Sequence, residues 1–220
     1  MNRIAPLSLL LLAAALASCT SPAGVHKLNS DVTPSQALDL LKSGNQRHVQ
    51  GHSARKDNVS ARRATLATGQ KPFAVILGCA DSRTAPEIIF DQQLGSLFVC
   101  RVAGNVTDPV VLGSIEYAVE HLGSPLIVVL GHSQCGAVKA ALSSGGAEGN
   151  IGALLDHVHP GSGLPSDPAA KTDAGIANNA RQQVRNLTSQ SPVIRKAVRE
   201  GKVAVAAGVF SLETGAVTWF

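Results

Sequence analysis

The sequence predicts an α/β domain with a mostly parallel sheet flanked by helices. Three short, nearly continuous apolar runs are typical of strands covered on both faces. These runs are Phe73–Leu77, Leu97–Cys100 and Leu126–Leu130. Between the second and third runs, Ile115, Ala118 and Leu122 recur at helical spacing. This alternation of strand and helix favours an α/β fold.

Residues 1–18 are expected to form an export signal outside the fold. The apolar run from Leu7 to Leu16 follows Arg3 and is too short for a permanent transmembrane helix of about 20 residues. Residues 16–19, Leu-Ala-Ser-Cys, resemble a bacterial lipobox, which predicts a lipoprotein held on the periplasmic or cell-surface side of a membrane only by a lipid at Cys19. The alternative is cleavage after Ala17, leaving a spare thiol. Both interpretations export the protein.

The rest of the chain is long enough for one domain. Residues 19–33 are mixed Ser, Thr, Pro, Gly and Asn, as in a tether, and residues 34–220 are predicted to form the domain. The net charge is +4, and basic residues cluster between Lys42 and Arg63 without any aromatic residue among them. Nucleic-acid binding is therefore not expected, and a solvated or partner-facing helical arm is favoured.

The arm is predicted to contain two helices. Thr33 and Pro34 are typical of an N-cap followed by proline at the first helical position. Gly44 is the predicted end of this helix, and a second, basic helix is predicted over residues 61–68.

The end of the chain is predicted to be helical and then extended. Residues 145–201 are predicted to be mostly helical, with a loop over residues 160–168 that is rich in Pro, Gly and Ser. Residues 202–210 and 216–220 flank Glu-Thr-Gly and predict a terminal hairpin at an antiparallel edge.

Polar residues follow the first and third predicted strands. Cys79, Asp81 and Arg83 follow the first, and His132 and Cys135 follow the third. Ligands in open α/β sheets bind beyond the carboxyl ends of strands, so the two cysteines and the histidine are expected to converge if the strands are neighbours. Two thiolates and one imidazole form a ligand set of catalytic zinc sites, with a fourth position left for water. One Zn²⁺ per subunit is therefore predicted.

Interpretations without a metal exist for the cysteines and the histidine. A lone Cys or His near a strand end is more often packed than catalytic. Cys100 lies inside an apolar run and is interpreted as a buried small hydrophobe. A redox pair of Cys79 and Cys135 would leave His132, Asp81 and Arg83 unexplained and ranks lowest.

The combined motifs resemble the signature of β-class carbonic anhydrases. C-x-D-S-R beginning at Cys79 is followed about fifty residues later by G-H-x-x-C-G beginning at Gly131. Agreement extends through residues 98–105 and 115–119. The resemblance implies the β-carbonic anhydrase fold and a lyase (carbonate dehydratase) that interconverts carbon dioxide with bicarbonate and a proton by means of a zinc-bound hydroxide.

The resemblance also implies roles for individual residues. Cys79, His132 and Cys135 would be zinc ligands, and Asp81 would pair with Arg83. Asp81 would either orient the nucleophile or, in a closed state, bind zinc as a fourth ligand. The open state is favoured.

Further residues match the substrate pocket of the family. Gln70, nine residues before the first zinc cysteine, would donate its amide N–H to a substrate oxygen. Phe98, Ala103 and Tyr117 match other pocket-wall positions. Val102 departs from the Asn that many members carry, which leaves the neighbouring hydrogen bonds undetermined.

The family usually assembles as homodimers or multiples of dimers, and the helices before residue 68 suit an arm that embraces a partner. Two other functions remain open from the sequence. One is hydrolysis of carbonyl sulfide or carbon disulfide on the same fold. The other is a non-catalytic zinc-binding lipoprotein.

Overall fold

A computed structural model of the chain describes residues 32–55, 59–143 and 147–220. The predicted export signal, the lipidation at Cys19 and nearly all of the tether lie outside these residues and stay predictions. No helix within the described ranges combines the length and the apolar character needed to cross a bilayer.

The described chain forms one five-stranded sheet with helices on both faces. The strands are β1 (Ala74–Gly78), β2 (Leu97–Arg101), β3 (Leu126–His132), β4 (Ala204–Phe210) and β5 (Val217–Trp219). Their order is β2-β1-β3-β4-β5, and only β5 is antiparallel to its neighbour. The predicted mostly parallel sheet with an antiparallel C-terminal edge is therefore confirmed.

Eight α-helices accompany the strands in the described ranges. They are α1 (Pro34–Val49), α2 (Val59–Leu66), α3 (Pro86–Ile89), α4 (Pro109–Glu120), α5 (Gly136–Leu142), α6 (Asn150–Leu155), α7 (Pro168–Gln190) and α8 (Pro192–Arg199). A 3₁₀ turn, Ala103–Asn105, follows β2. The predicted second arm helix is present as α2, shifted toward the N-terminus by two residues.

Two apolar cores lie on opposite faces of the sheet. Every residue of β1 and β3 is buried, which explains their continuous apolar sequences. Ala74 and Ile76 of β1 pack with α1 in one core, while Val75 and Leu77 pack with α4, α7 and α8 in the other. Because side chains alternate along a strand, each buried strand supplies both cores.

Helix α1 begins as predicted but ends later. Thr33 and Gln36 form a capping box, and Pro34 is the first helical residue. The prediction that Gly44 ends the helix is wrong, because α1 continues to Val49. A Cβ at Gly44 would lie 1.8 Å from the carbonyl oxygen of Phe90. The glycine is therefore needed for close approach of α1 to the end of α3.

One buried amide fixes α1 to the C-terminal hairpin. Asn45 donates to the carbonyl of Gly215 at 2.8 Å and to that of Ile89 at 3.2 Å, and it accepts from the backbone N–H of Val217 at 2.9 Å. The hairpin is in turn bonded to the loop after β3, since the N–H of Leu212 donates to Ser133 Oγ at 2.9 Å. Helix α1 and the end of β3 are thus joined through the β4–β5 hairpin.

Candidate metal centre

The carboxyl ends of β1 and β3 bring the three predicted zinc ligands together. The two strands are parallel neighbours with Gly78 paired to Leu130, so Cys79 and His132 emerge at the same edge of the sheet. Cys135 precedes α5 as its N-cap residue. The ligand atoms of Cys79, His132 and Cys135 all lie within 4.8 Å of one another, and each residue is buried. The convergence expected from the sequence is present.

The histidine presents one free ring nitrogen to this group. Nδ1 of His132 lies 2.9 Å from the carbonyl oxygen of Ser133, which makes it the donor in the neutral ring. Nε2 is buried and has no hydrogen-bond partner among the described residues. A buried imidazole nitrogen without a hydrogen-bond partner, beside two sulfurs, matches the Cys₂His ligand set of catalytic zinc sites. The residues therefore fit the metal.

The proximity of the two sulfurs separates the pKa values of their thiols. Donation from the Cys135 thiol, together with the adjacent His132 side chain and the backbone N–H groups of Asp81 and Gly104, outweighs burial and holds the pKa of Cys79 well below the usual thiol range. The same bond, together with burial, raises the pKa of Cys135. One thiolate is therefore available before the second proton leaves, and a metal that takes both sulfurs must release that proton.

The predicted Asp81–Arg83 pair stands beside the ligand group. Nε of Arg83 lies 2.8 Å from Oδ1 of Asp81, and Nη2 lies 2.7 Å from Oδ2. This contact, reinforced by the Arg83 backbone N–H, holds the pKa of Asp81 far below its usual range against the opposing effect of burial. Oδ2 lies 3.9 Å from Nε2 of His132. The carboxylate is thus ionised, oriented and next to the predicted ligands.

Sequence reasoning missed the arginine that supports this loop. Arg101, the last residue of β2, donates from Nε to the carbonyl of Cys79 at 2.8 Å and from Nη2 to the carbonyl of Asp81. Both carbonyls flank the segment that carries the ligand and the carboxylate. Arg101 lies within the stretch that matches the family, but its letter alone does not indicate which carbonyls it reaches.

The predicted pocket residues occupy three different places in the single chain. Ala103 opens the 3₁₀ turn, immediately before Gly104, whose N–H donates to Cys79 Sγ at 3.3 Å. The rings of Phe98 and Tyr117 lie 6.5 Å apart, centroid to centroid. Gln70 is exposed and lines a surface groove beside α2. The substrate-contact roles of these residues stay predictions.

The fold and the ligand group define the class of the described chain: it is an α/β protein with a Cys₂His ligand group at the carboxyl ends of its parallel strands. A family profile described as carbonic anhydrase matches residues 74–217. The chain belongs to this family, and to its β class. The cofactor is accordingly zinc.

Relatives and solved structures resemble the chain over most of its length. It is 43% identical to Carbonic anhydrase 2 of Mycobacterium tuberculosis over 190 residues, covering 84% of this chain and 92% of the relative. It is 41% identical to the carbonic anhydrase of Mycolicibacterium smegmatis, with the same coverage. The β-carbonic anhydrase of Coccomyxa in complex with acetazolamide superposes with a TM-score of 0.69 at 29% identity, covering 83% of this chain and 86% of that one.

Proposed function

We propose that the chain catalyses the reversible hydration of carbon dioxide to bicarbonate and a proton. The observation that carries this function is the buried convergence of the Cys79, His132 and Cys135 ligand atoms within 4.8 Å. The named relatives are all carbonic anhydrases, which favours carbon dioxide over a sulfur analogue and catalysis over a purely binding role.

Cys79, His132 and Cys135 would hold the zinc. When bound by such a set, zinc lowers the pKa of a coordinated water to about 7 and so supplies a nucleophile at neutral pH. The hydrogen bond from Nδ1 of His132 to the Ser133 carbonyl fixes the tautomer that leaves Nε2 free to coordinate.

Asp81 would orient the attacking water. Arg83 uses two nitrogens to hold the carboxylate in one plane, and the low pKa of Asp81 keeps it an acceptor at neutral pH. By accepting a hydrogen bond from the water, the carboxylate aims an oxygen lone pair at the carbon of the substrate. Engagement by Arg83 also supports the open state, in which Asp81 is not a fourth ligand.

Gln70 would act on the substrate by donating its side-chain N–H to an oxygen of carbon dioxide as that oxygen gains charge. Phe98, Ala103 and Tyr117 would form the apolar wall that binds the uncharged substrate. Product formation releases one proton to solvent.

A homodimer, or a multiple of dimers, is the assembly that we propose. Val110 and Tyr117 lie seven residues apart along α4 and are 79% and 49% exposed, so that an apolar face is available to a second copy. Solved β-carbonic anhydrases from Sordaria macrospora, 26% identical with a TM-score of 0.64, are tetrameric. Sedimentation of the wild-type chain and of Val110→Asp tests the proposal, and a monomeric wild type would contradict it.

Export and lipidation at Cys19 are proposed from the lipobox-like sequence of residues 16–19. Metabolic labelling with a fatty acid tests this location. We expect label in the membrane fraction of the wild type and none after Cys19→Ser. Label in neither protein would favour simple cleavage of the export signal.

Zinc stoichiometry and stopped-flow carbon dioxide hydration test the proposed activity on residues 20–220. We expect one zinc per chain, hydration that rises with pH, and loss of both zinc and activity in Cys79→Ser. Cys100→Ser is the matched control, because Cys100 lies in β2 outside the ligand group. Full activity in Cys79→Ser would overturn the site assignment.

A further inference from the structure

Three buried amide side chains lie on one face of α7. Asn179, Gln183 and Asn186 are 1%, 0% and 7% exposed, and their spacing of four and three places them on the same side of the helix. Gln183 Nε2 donates to Asn179 Oδ1 at 3.1 Å, and Asn186 Nδ2 donates to Gln183 Oε1 at 3.2 Å. Burying an amide costs free energy unless its hydrogen bonds are satisfied. The other groups that this row of three amides bonds to therefore indicate its role.

Most of those partners are backbone groups of two loops. Gln183 Oε1 accepts from the N–H of Thr107 at 2.9 Å, and Gln183 Nε2 donates to the carbonyl of His157 at 2.9 Å. Asn179 Oδ1 also accepts from the N–H of His159 at 2.9 Å. These bonds satisfy buried loop backbone and fix the orientation of both amides, which is a purely structural role.

One bond of the row leads to the ligand group instead. Asn179 Nδ2 donates to the carbonyl of Gly104 at 2.8 Å, and the N–H of Gly104 donates to Cys79 Sγ at 3.3 Å. Gly104 has φ +72°, and a Cβ there would lie 3.0 Å from Val158 Cγ2. The carbonyl of Gly104 is thus held by α7 while its N–H faces the sulfur.

We propose that Asn179 is a positioning residue for the metal centre, which holds Gly104 so that its N–H stays directed at Cys79 Sγ. The inference rests on the proposed zinc site. A directed N–H stabilises a thiolate and fixes the sulfur lone pair that faces the metal, and outer partners of this kind typically change metal affinity by about 10- to 100-fold.

The test compares Asn179→Ala with Asn186→Ala in the zinc-loaded full chain. Asn186 belongs to the same buried row but contacts Thr107 and Gln183 rather than Gly104, so its truncation reports the structural cost alone. Three quantities are measured: zinc release to excess chelator, the thiolate-to-cobalt absorption of the cobalt(II)-substituted protein, and urea unfolding. We expect zinc release about 10- to 100-fold faster with a shifted cobalt band in Asn179→Ala, and release within about threefold of wild type in Asn186→Ala.

Asn179→Asp is the second variant, and it takes the place of Asn179→Ala if the alanine variant does not fold. It retains an acceptor for the N–H of His159 but loses the donor to Gly104. Equal zinc release from the Asn179 and Asn186 variants, or an unchanged cobalt spectrum, would overturn the inference alone. A wild-type chain that binds no zinc would overturn the proposed function as well.

Discussion

The guanidinium of Arg83 holds both oxygens of the Asp81 carboxylate, through N–O distances of 2.8 and 2.7 Å. The Arg83 backbone N–H adds a third bond, to Oδ1 at 3.0 Å. The planar fork of the guanidinium matches the spacing of the two carboxylate oxygens, so that both side-chain bonds form at once. The pair therefore fixes the direction of the carboxylate as well as its charge.

Asp81→Asn is expected to lower kcat/KM for carbon dioxide hydration by about 10- to 100-fold while zinc remains bound. The amide is a weaker acceptor and is oriented less firmly by Arg83, but the three predicted ligands are unchanged. Arg83→Lys keeps the positive charge without the fork and should give a smaller loss. Stopped-flow hydration and metal analysis on the same samples measure both effects. An Asp81→Asn enzyme with wild-type activity would contradict the orienting role.

Removal of zinc is expected to make the protein sensitive to air. Without the metal, the thiolate of Cys79 and the thiol of Cys135 lie within 4.8 Å in one buried group. Dissolved oxygen can accept the two electrons that are released as the disulfide forms, together with the proton of Cys135 and one proton from water, and so become hydrogen peroxide. We expect the metal-free chain to lose two titratable thiols and its ability to regain activity with zinc, while the zinc form keeps both because its sulfurs are coordinated.

Cys100 provides the internal control for this oxidation. Burial raises the pKa of its thiol to about 11, so it should stay protonated and unreactive in both forms. Peptide mapping identifies the joined cysteines. Equal thiol loss with and without zinc would show that the metal does not protect the pair.

The sequence predicted the sheet and the ligand group because both depend on local patterns. The apolar runs of β1 and β3 identify buried strands, and the polar residues after them identify the functional edge. The end of α1 was wrongly placed at Gly44 because this glycine is needed for a close approach to the Phe90 carbonyl, a contact between residues that are distant in sequence. Asn179 was missed because an amide in a polar helix resembles a solvated residue until its buried partners are known.

Gly44→Ala is expected to lower the free energy of unfolding by several kcal/mol, although alanine favours helix by about 1 kcal/mol over glycine. The added Cβ would meet the Phe90 carbonyl oxygen at 1.8 Å, so α1 must move away from α3. Gly152→Ala in α6 is the matched control, since its Cβ would meet only a carbonyl oxygen at an ordinary 3.6 Å. That change should stabilise the protein by about 0.5–1 kcal/mol. Urea unfolding of both variants measures the contrast, and a neutral Gly44→Ala would refute the close approach.

The Asp91 carboxylate connects the last turn of α1 and the residues that follow it to the turn after α3. Its side chain is 2% exposed, and it accepts from Arg47 Nε at 2.6 Å and from the backbone N–H of Ala54 at 2.9 Å. The Ser53 hydroxyl donates to the other oxygen. Burial opposes ionisation, but the bonds from Ser53, Arg47 and Ala54 outweigh it and lower the pKa of Asp91 to about 2.

Asp91 is therefore expected to make stability depend on pH in the acid range. Because its pKa is lower in the folded chain than the value of about 3.9 in the unfolded chain, the ionised carboxylate stabilises the fold above pH 4, and this contribution disappears as the pH falls toward 2. From pH 5 to pH 3 the wild type should lose about 1 kcal/mol more unfolding free energy than Asp91→Asn, measured by urea titration. Asp39→Asn, which removes an exposed carboxyl of α1, should follow the wild type. Parallel curves for Asp91→Asn and wild type would mean that the Asp91 contacts do not favour its ionised form.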